Sequence, residues 1–326
     1  NSGLLNETEA ELIFGEGYAK KRNAVMYFAK KNNLDRLIFL DDDEYPLAVF
    51  QNKTQPLLWM GQSVVGTHIK FSEDADITHG HHCGYISPIP HLTFNKTLTE
   101  NDFKNFIEAI SNEIISWDEV KKNILENKGV TYASTEKIYS QKPKEVKEIL
   151  GMKFISGANL CFNLKNIQSL PPFYNPPGAR GEDTFMSTTL TDLKVVKVPC
   201  YTFHDGFLQY KNILNGILPI ELQAVDSSSP AVVTRFINAA IGWVRYKPLM
   251  IYITQHDEYE SIIEGMKAKL ANTIPKLCKY FHNDHFLQIP EELSRYDKNV
   301  KRHYRSFQET KIVWAKLMAH FNVINQ

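Results

Sequence analysis

The chain has 326 residues, of which 43% are hydrophobic and 23% charged, a composition that predicts a globular protein able to bury a large core. Its 37 Lys and Arg balance 37 Asp and Glu, so no global field gathers nucleic acid, and nucleic acid is not an expected partner. Cys83, Cys161, Cys200 and Cys278 are scattered without a Cys-x-x-Cys pair, which fits neither a disulfide framework nor a structural zinc site and suits a reducing, cytoplasmic setting.

In chain order, residues 1 to 14 supply at most one strand. From Tyr18 to Lys31 the apolar residues Ala24, Val25, Phe28 and Ala29 recur at helical spacing. Leu37 to Leu40 then reads as a short buried strand that runs into Asp41, Asp42, Asp43 and Glu44 and stops at Pro46. Helix, strand and acidic turn form a unit of an α/β sheet, and ligands of open α/β sheets sit at the carboxyl ends of strands. Between Phe50 and Phe94 the composition predicts long loops with short strands. Within that segment Thr78 to Tyr85 (THGHHCGY) reads as a loop lining a donor or acceptor pocket rather than as a zinc site.

Thr99 and Asp102 predict a capping box, with Phe103, Phe106, Ile107, Ile110 and Ile114 along one helical face. Phe154 to Leu164 and Lys194 to Phe203 are strand candidates. The Pro-rich stretch Leu170 to Asp183 is a stiff loop between them. The last third reads as helical, with Pro275 expected to end or kink a helix. The most apolar stretch, Phe236 to Ile253, is interrupted by Arg245, Lys247 and Pro248, so it is not expected to span a bilayer.

Four acids in a row at a strand end repel one another and lose hydration wherever the site closes, so a positive partner is expected among them. Were the strand geometry to persist, Asp41 and Asp43 would point the same way and Asp42 the opposite way. Two converging carboxylates suit Mg²⁺ or Mn²⁺, ions that complete their shells with water and phosphate oxygens. A strand-end Asp-x-Asp therefore predicts a metal that holds a phosphorylated ligand. Haloacid-dehalogenase-type phosphatases continue such a motif with Gly and Thr or Ser, whereas here Glu44, Tyr45 and Pro46 follow.

Four motifs in order resemble inverting family 2 glycosyltransferases of the GT-A fold. They are Arg22-Asn23 with Asp41 to Pro46, FISGANLCF (Phe154 to Phe162), RGEDTFMSTTL (Arg180 to Leu190) and VPCYTFHDGF (Val198 to Phe207). The resemblance covers about Gly15 to Phe207. It implies that Asp41, with Asp42 beside it, contacts the nucleotide, and that Asp43, Asp41 and His204 serve the metal. It further implies that Asp183 is the catalytic base, with Glu182 adjacent, and that Gly157 lets backbone approach donor or acceptor. Arg180 and Arg22 would meet diphosphate charge, Arg being suited to bidentate phosphate contact. Phe173 and Tyr174 are candidates for stacking on a sugar ring or for anchoring their loop.

The expected architecture is thus α/β: a GT-A-like mixed sheet flanked by helices over residues 1–210, with the strands that usually recognise the base not legible before Gly15, and a mostly helical region over 211–326. The expected activity moves a sugar from a nucleotide-diphosphate sugar, most simply a UDP- or GDP-sugar, to a hydroxyl of a glycan or cell-surface polymer, with Mn²⁺ or Mg²⁺ as cofactor. The expected location is the cytoplasm or, through peripheral association, the inner membrane face. The alternatives are a sugar-phosphate nucleotidyltransferase and a degenerate GT-A domain that binds a glycan or a partner.

Overall fold

A computed structural model describes residues 4–51, 56–111 and 117–324. The chain is mixed α/β: a mixed sheet flanked by helices, followed by a helical C-terminal region. It opens not with a strand but with α1 (Glu7–Ile13), closed by a capping box in which Asn6 and Glu9 satisfy each other's backbone N–H. Helix α2 (Tyr18–Lys31) buries Ala19, Asn23, Met26 and Ala29 on one face. It leads to β1 (Arg36–Phe39), then to β2 (Glu44–Tyr45) and a two-stranded ribbon of β3 (Leu47–Phe50) and β4 (Leu58–Gly61).

Next come α3 (Val64–Phe71), β5 (Ile77–Gly84) and α4 (Glu100–Ile110). Thr99 and Asp102 form the expected capping box of α4, and Phe103, Phe106, Ile107 and Ile110 are buried. Ile114 lies outside the described residues. Short elements α5 (Trp117–Val120), α6 (Thr135–Ser140) and β6 (Lys144–Glu145) precede β7 (Leu160–Asn163), α7 (Glu182–Ser187) and β8 (Val195–His204). Among the described residues the main sheet runs β1-β7-β5-β8-β2, with β6 on β8; β5 and β8 are parallel and the other pairs antiparallel.

The segment expected to be loops is therefore built into the middle of the sheet. Thr78 to Gly84 belongs to β5, which pairs with β8 along its length and with β7 at Ile77 to His79. Composition misleads here because Gly and His are weak strand formers whose cost is offset by burial and by specific contacts. Thr78 Oγ1 bonds His68 Nδ1, and His68 Nε2 bonds Asn159 Oδ1. At Gly80 a Cβ would fall 2.0 Å from Asn159 Nδ2, so only glycine admits that side chain.

The C-terminal helices are α8 (Pro230–Thr254), α9 (Tyr259–Phe281), α10 (Gln288–Lys298) and α11 (Val300–Ile324). Pro275 does not end its helix, for α9 runs on to Phe281 with Ile274 and Leu277 buried on either side of it. Packing of that face outweighs the lost N–H. Helices α8 to α10 share one apolar core with α4 and with Phe185 of α7, while Trp314 and Leu317 of α11 pack with α1, α2 and the sheet. The apolar stretch of α8 is thus an interior helix, and no described helix is long and apolar enough to cross a membrane.

Candidate functional site

The acidic run sits, as expected, where β1 ends, but the strand does not carry through it. The Glu44 N–H bonds Asp41 O at 3.2 Å, which closes a tight turn and lets the chain return as β2. The two-residue alternation assumed for Asp41 and Asp43 is therefore lost, and Asp41, Asp43 and Glu44 each take a different partner.

Asp41 lies 3.5 Å from Arg22 of α2. Asp42 is exposed in the turn. Asp43 meets His204, the last residue of β8, with Nε2 and Oδ2 3.2 Å apart. Two contacts bring them together: Glu44 and His204 are cross-strand partners, and the Asp205 N–H bonds Asp43 O at 2.8 Å. Glu44, almost fully buried, accepts from His82 Nδ1 at 2.7 Å and from Thr202 Oγ1 at 3.0 Å. Burial raises the Glu44 pKa, but the His82 and Thr202 hydrogen bonds outweigh it and leave the carboxyl below its ordinary value.

His204 Nδ1 donates to Tyr85 O at 2.8 Å and Nε2 faces Asp43, so the ring is anchored through both nitrogens. The Asp43 carboxyl is lowered by its bond to His204. For His204, burial acts to lower the pKa but the Asp43 contact prevails and raises it. An imidazole whose far N–H is anchored on a carbonyl, facing a carboxylate, is the donor arrangement of a cation site. Mg²⁺ and Mn²⁺ need only one or two such groups when water and phosphate oxygens fill the rest. Asp43 and His204 fit that demand. Asp41, held by Arg22, does not join them, and among the described residues no three His, Cys, Asp or Glu side chains gather closely enough to cage a metal.

The second cluster forms around Arg22. Its guanidinium reaches Asp41 and Glu182, each at 3.5 Å, donates to Gly157 O and lies 4.8 Å over the Phe39 ring. Asp183, at the start of α7, accepts from the N–H of Gly157 at 2.9 Å and from its neighbour Thr184 at 2.8 Å. A Cβ on Gly157 would sit 3.2 Å from Asp183 Oδ2 and 3.5 Å from Arg22, so glycine permits this closure. Burial dominates both acids. It pushes Glu182 up, with help from the Asp183 charge, and pushes Asp183 up against the two backbone N–H groups and Arg22. A helix start favours the ionised form of a carboxyl, but at Asp183 desolvation outweighs it.

Arg180 is exposed and lines a cleft of about 510 Å³ with Lys20, Tyr18 and Asn175. Phe173 and Tyr174 border the same cleft, but both are buried. Phe173 packs edge-on against Phe39 and Phe162, and Tyr174 against Phe185 and Phe307, so both anchor the loop. His79, His81 and His82 diverge along β5: His79 is buried, His81 stacks on Tyr201, and His82 pairs with Glu44.

Three contributors were not legible in the sequence. Arg235 of α8 lies over the Phe207 ring at 4.6 Å and within electrostatic reach of Asp43 and Asp205. Tyr246, also of α8, covers Gly181 beside Asp183. The Tyr85 carbonyl anchors His204 Nδ1. No local pattern marks them, because each acts across a large sequence separation. A comparison with protein families, characterised proteins and solved structures finds no match to this chain.

Proposed function

We propose that this chain is a metal-dependent inverting glycosyltransferase, built on a GT-A-type sheet, that moves a sugar from a UDP- or GDP-sugar to a hydroxyl of a glycan or polymer acceptor. The observation that carries the reading is the approach of two chemistries at one sheet end: the Asp43–His204 donor pair, and the Arg22-linked set of Asp41, Glu182, Asp183 and Gly157.

Transfer from a nucleotide sugar needs charge neutralised on the departing diphosphate and a base behind the attacking hydroxyl. A Mn²⁺ or Mg²⁺ ion held by Asp43 and His204 would supply the first. Arg22, Arg180 and Arg235 add positive charge around the same turn. Asp41 and Asp42, at the end of β1, would contact the nucleotide. Asp183, with Glu182 beside it, takes the proton of the acceptor hydroxyl, and its raised pKa makes it a stronger base once ionised.

The test is a thermal-shift panel of UDP, GDP, CMP and their sugars, with and without Mn²⁺, on wild type and Asp43→Ala. Ligand at about 100 times its Kd stabilises the native state by about 2.7 kcal/mol. Stabilisation by one nucleotide class, requiring both Mn²⁺ and Asp43, is expected. A melting point that no nucleotide moves would end the reading.

A further inference from the structure

Strand β1 stands at the end of the sheet order, paired with β7 alone among the described residues. Asp35 O accepts from Leu164 N across that pair. Antiparallel alternation then turns the backbone N–H and C=O of Leu37 toward β7 and those of Arg36 and Ile38 toward the open edge. An exposed edge of this kind is a template for another strand unless it is shielded by charge, proline or a covering element.

Both flanks of the edge are apolar instead. Helix α2 runs beside β1 on one face. Arg22 meets Asp41 beyond the strand's end, and Leu34 N bonds Ala29 O just ahead of its start. The stripe between them presents Val25 and Phe28. On the other face α3, packed over β5 and β8, turns one side toward β1, since Val65 shares a cleft with Leu40 and Ser72 bonds the Arg36 side chain at 2.7 Å. Its outer stripe presents Val65 and Ile69. With Leu34 and Leu40 at the two ends of the strand, these six side chains are between 44% and 55% exposed. Apolar side chains thus border a row of unused backbone groups, from α2 on one face and from the near side of α3 on the other.

We infer that this seam takes a second copy of the chain, β1 against β1 in antiparallel register about a two-fold axis near Ile38. Charge selects that occupant and that direction. Lys30, Lys31, Arg36 and Lys165 outnumber Asp35 at the start of the strand, and Asp41, Asp42 and Asp43 lie beyond its end. Antiparallel pairing sets each acidic turn beside the other copy's basic end, whereas parallel pairing would set like charge against like. A two-fold contact is self-complementary by construction. Six half-exposed apolar side chains remove on the order of 500 Å² per copy, which with the strand backbone reaches the roughly 1,000 Å² in total that a specific interface needs.

The experiment is light scattering on the size-excluded full chain at micromolar concentration, for wild type, Phe28→Glu/Ile69→Glu and Phe28→Leu/Ile69→Leu. Wild type and the leucine variant are expected at about 75 kDa, twice the chain's 37.5 kDa. The glutamate variant is expected at the monomer mass with an unchanged circular dichroism spectrum, because both positions are solvent-facing in the single chain. A monomeric wild type overturns the inference, including the case in which the seam is covered by some other polypeptide. So does a dimer that the folded glutamate variant retains.

Discussion

His204 and Asp43, 161 positions apart in sequence, meet with Nε2 and Oδ2 3.2 Å apart because Glu44 pairs with His204 across β2 and β8. Tyr85 O holds the far nitrogen. The pair is therefore held in place by two independent contacts. Replacing His204 with Ala should weaken Mn²⁺ binding by about 10- to 100-fold, read by calorimetric titration of the metal alone. An unchanged affinity would mean that the ion is held elsewhere.

Arg22 is shared by Asp41 and Glu182, and its side chain and that of Glu182 are both largely buried. Removing it strands a buried carboxylate, so Arg22→Ala should cost about 3–5 kcal/mol in urea unfolding. Arg22→Lys should recover little, since an ammonium cannot bridge two carboxylates, bond Gly157 O and stack on Phe39 together. A loss under about 1 kcal/mol would show that solvent compensates the pair.

Asp183 should separate binding from chemistry. With Asp183→Ala, nucleotide and Mn²⁺ binding should persist while turnover drops by about 10²- to 10⁴-fold, the usual contribution of a general base. Turnover within about tenfold of wild type would move the base assignment to another group.

The same residue gives a stability test in pH. Burial holds the Asp183 carboxyl above its ordinary value. Between the ordinary value and the raised one, the native state binds more protons than the unfolded chain, so this residue's contribution to stability declines as pH rises. Asp183→Asn abolishes the titration. The melting temperature of the variant minus that of wild type should therefore climb from acid to neutral pH. A difference that stays flat or falls would contradict the raised value.

Gly80→Ala probes β5. Its Cβ would land 2.0 Å from Asn159 Nδ2 and press on the Asn159–His68–Thr78 chain of bonds. A cost of about 1–3 kcal/mol is expected in chemical denaturation. A neutral result would show that the Asn159 side chain has room to turn away.

What the sequence disclosed and what it hid divide by range of interaction. The helix at α2, the face of α4, the Thr99–Asp102 box, the strand at Leu37 and the strand through Phe203 were legible because caps and periodicity are written within a few residues. The buried face of α2, however, is Ala19, Asn23, Met26 and Ala29, and Val25 and Phe28 of the expected apolar set stay exposed. The same local signals misled where the tertiary setting took over. Gly and His in Thr78 to Gly84 spoke for a loop, yet two neighbouring strands supply that segment's hydrogen bonds. Pro275 spoke for a helix end, yet the buried Ile274 and Leu277 carry α9 past it. Residue types alone placed acids at a strand end and foresaw positive partners for them. Only the folded chain decided which partner each acid took: Arg22 for Asp41, His204 for Asp43, His82 for Glu44. Charges choose partners by distance and desolvation, and both are set by how distant strands and helices pack.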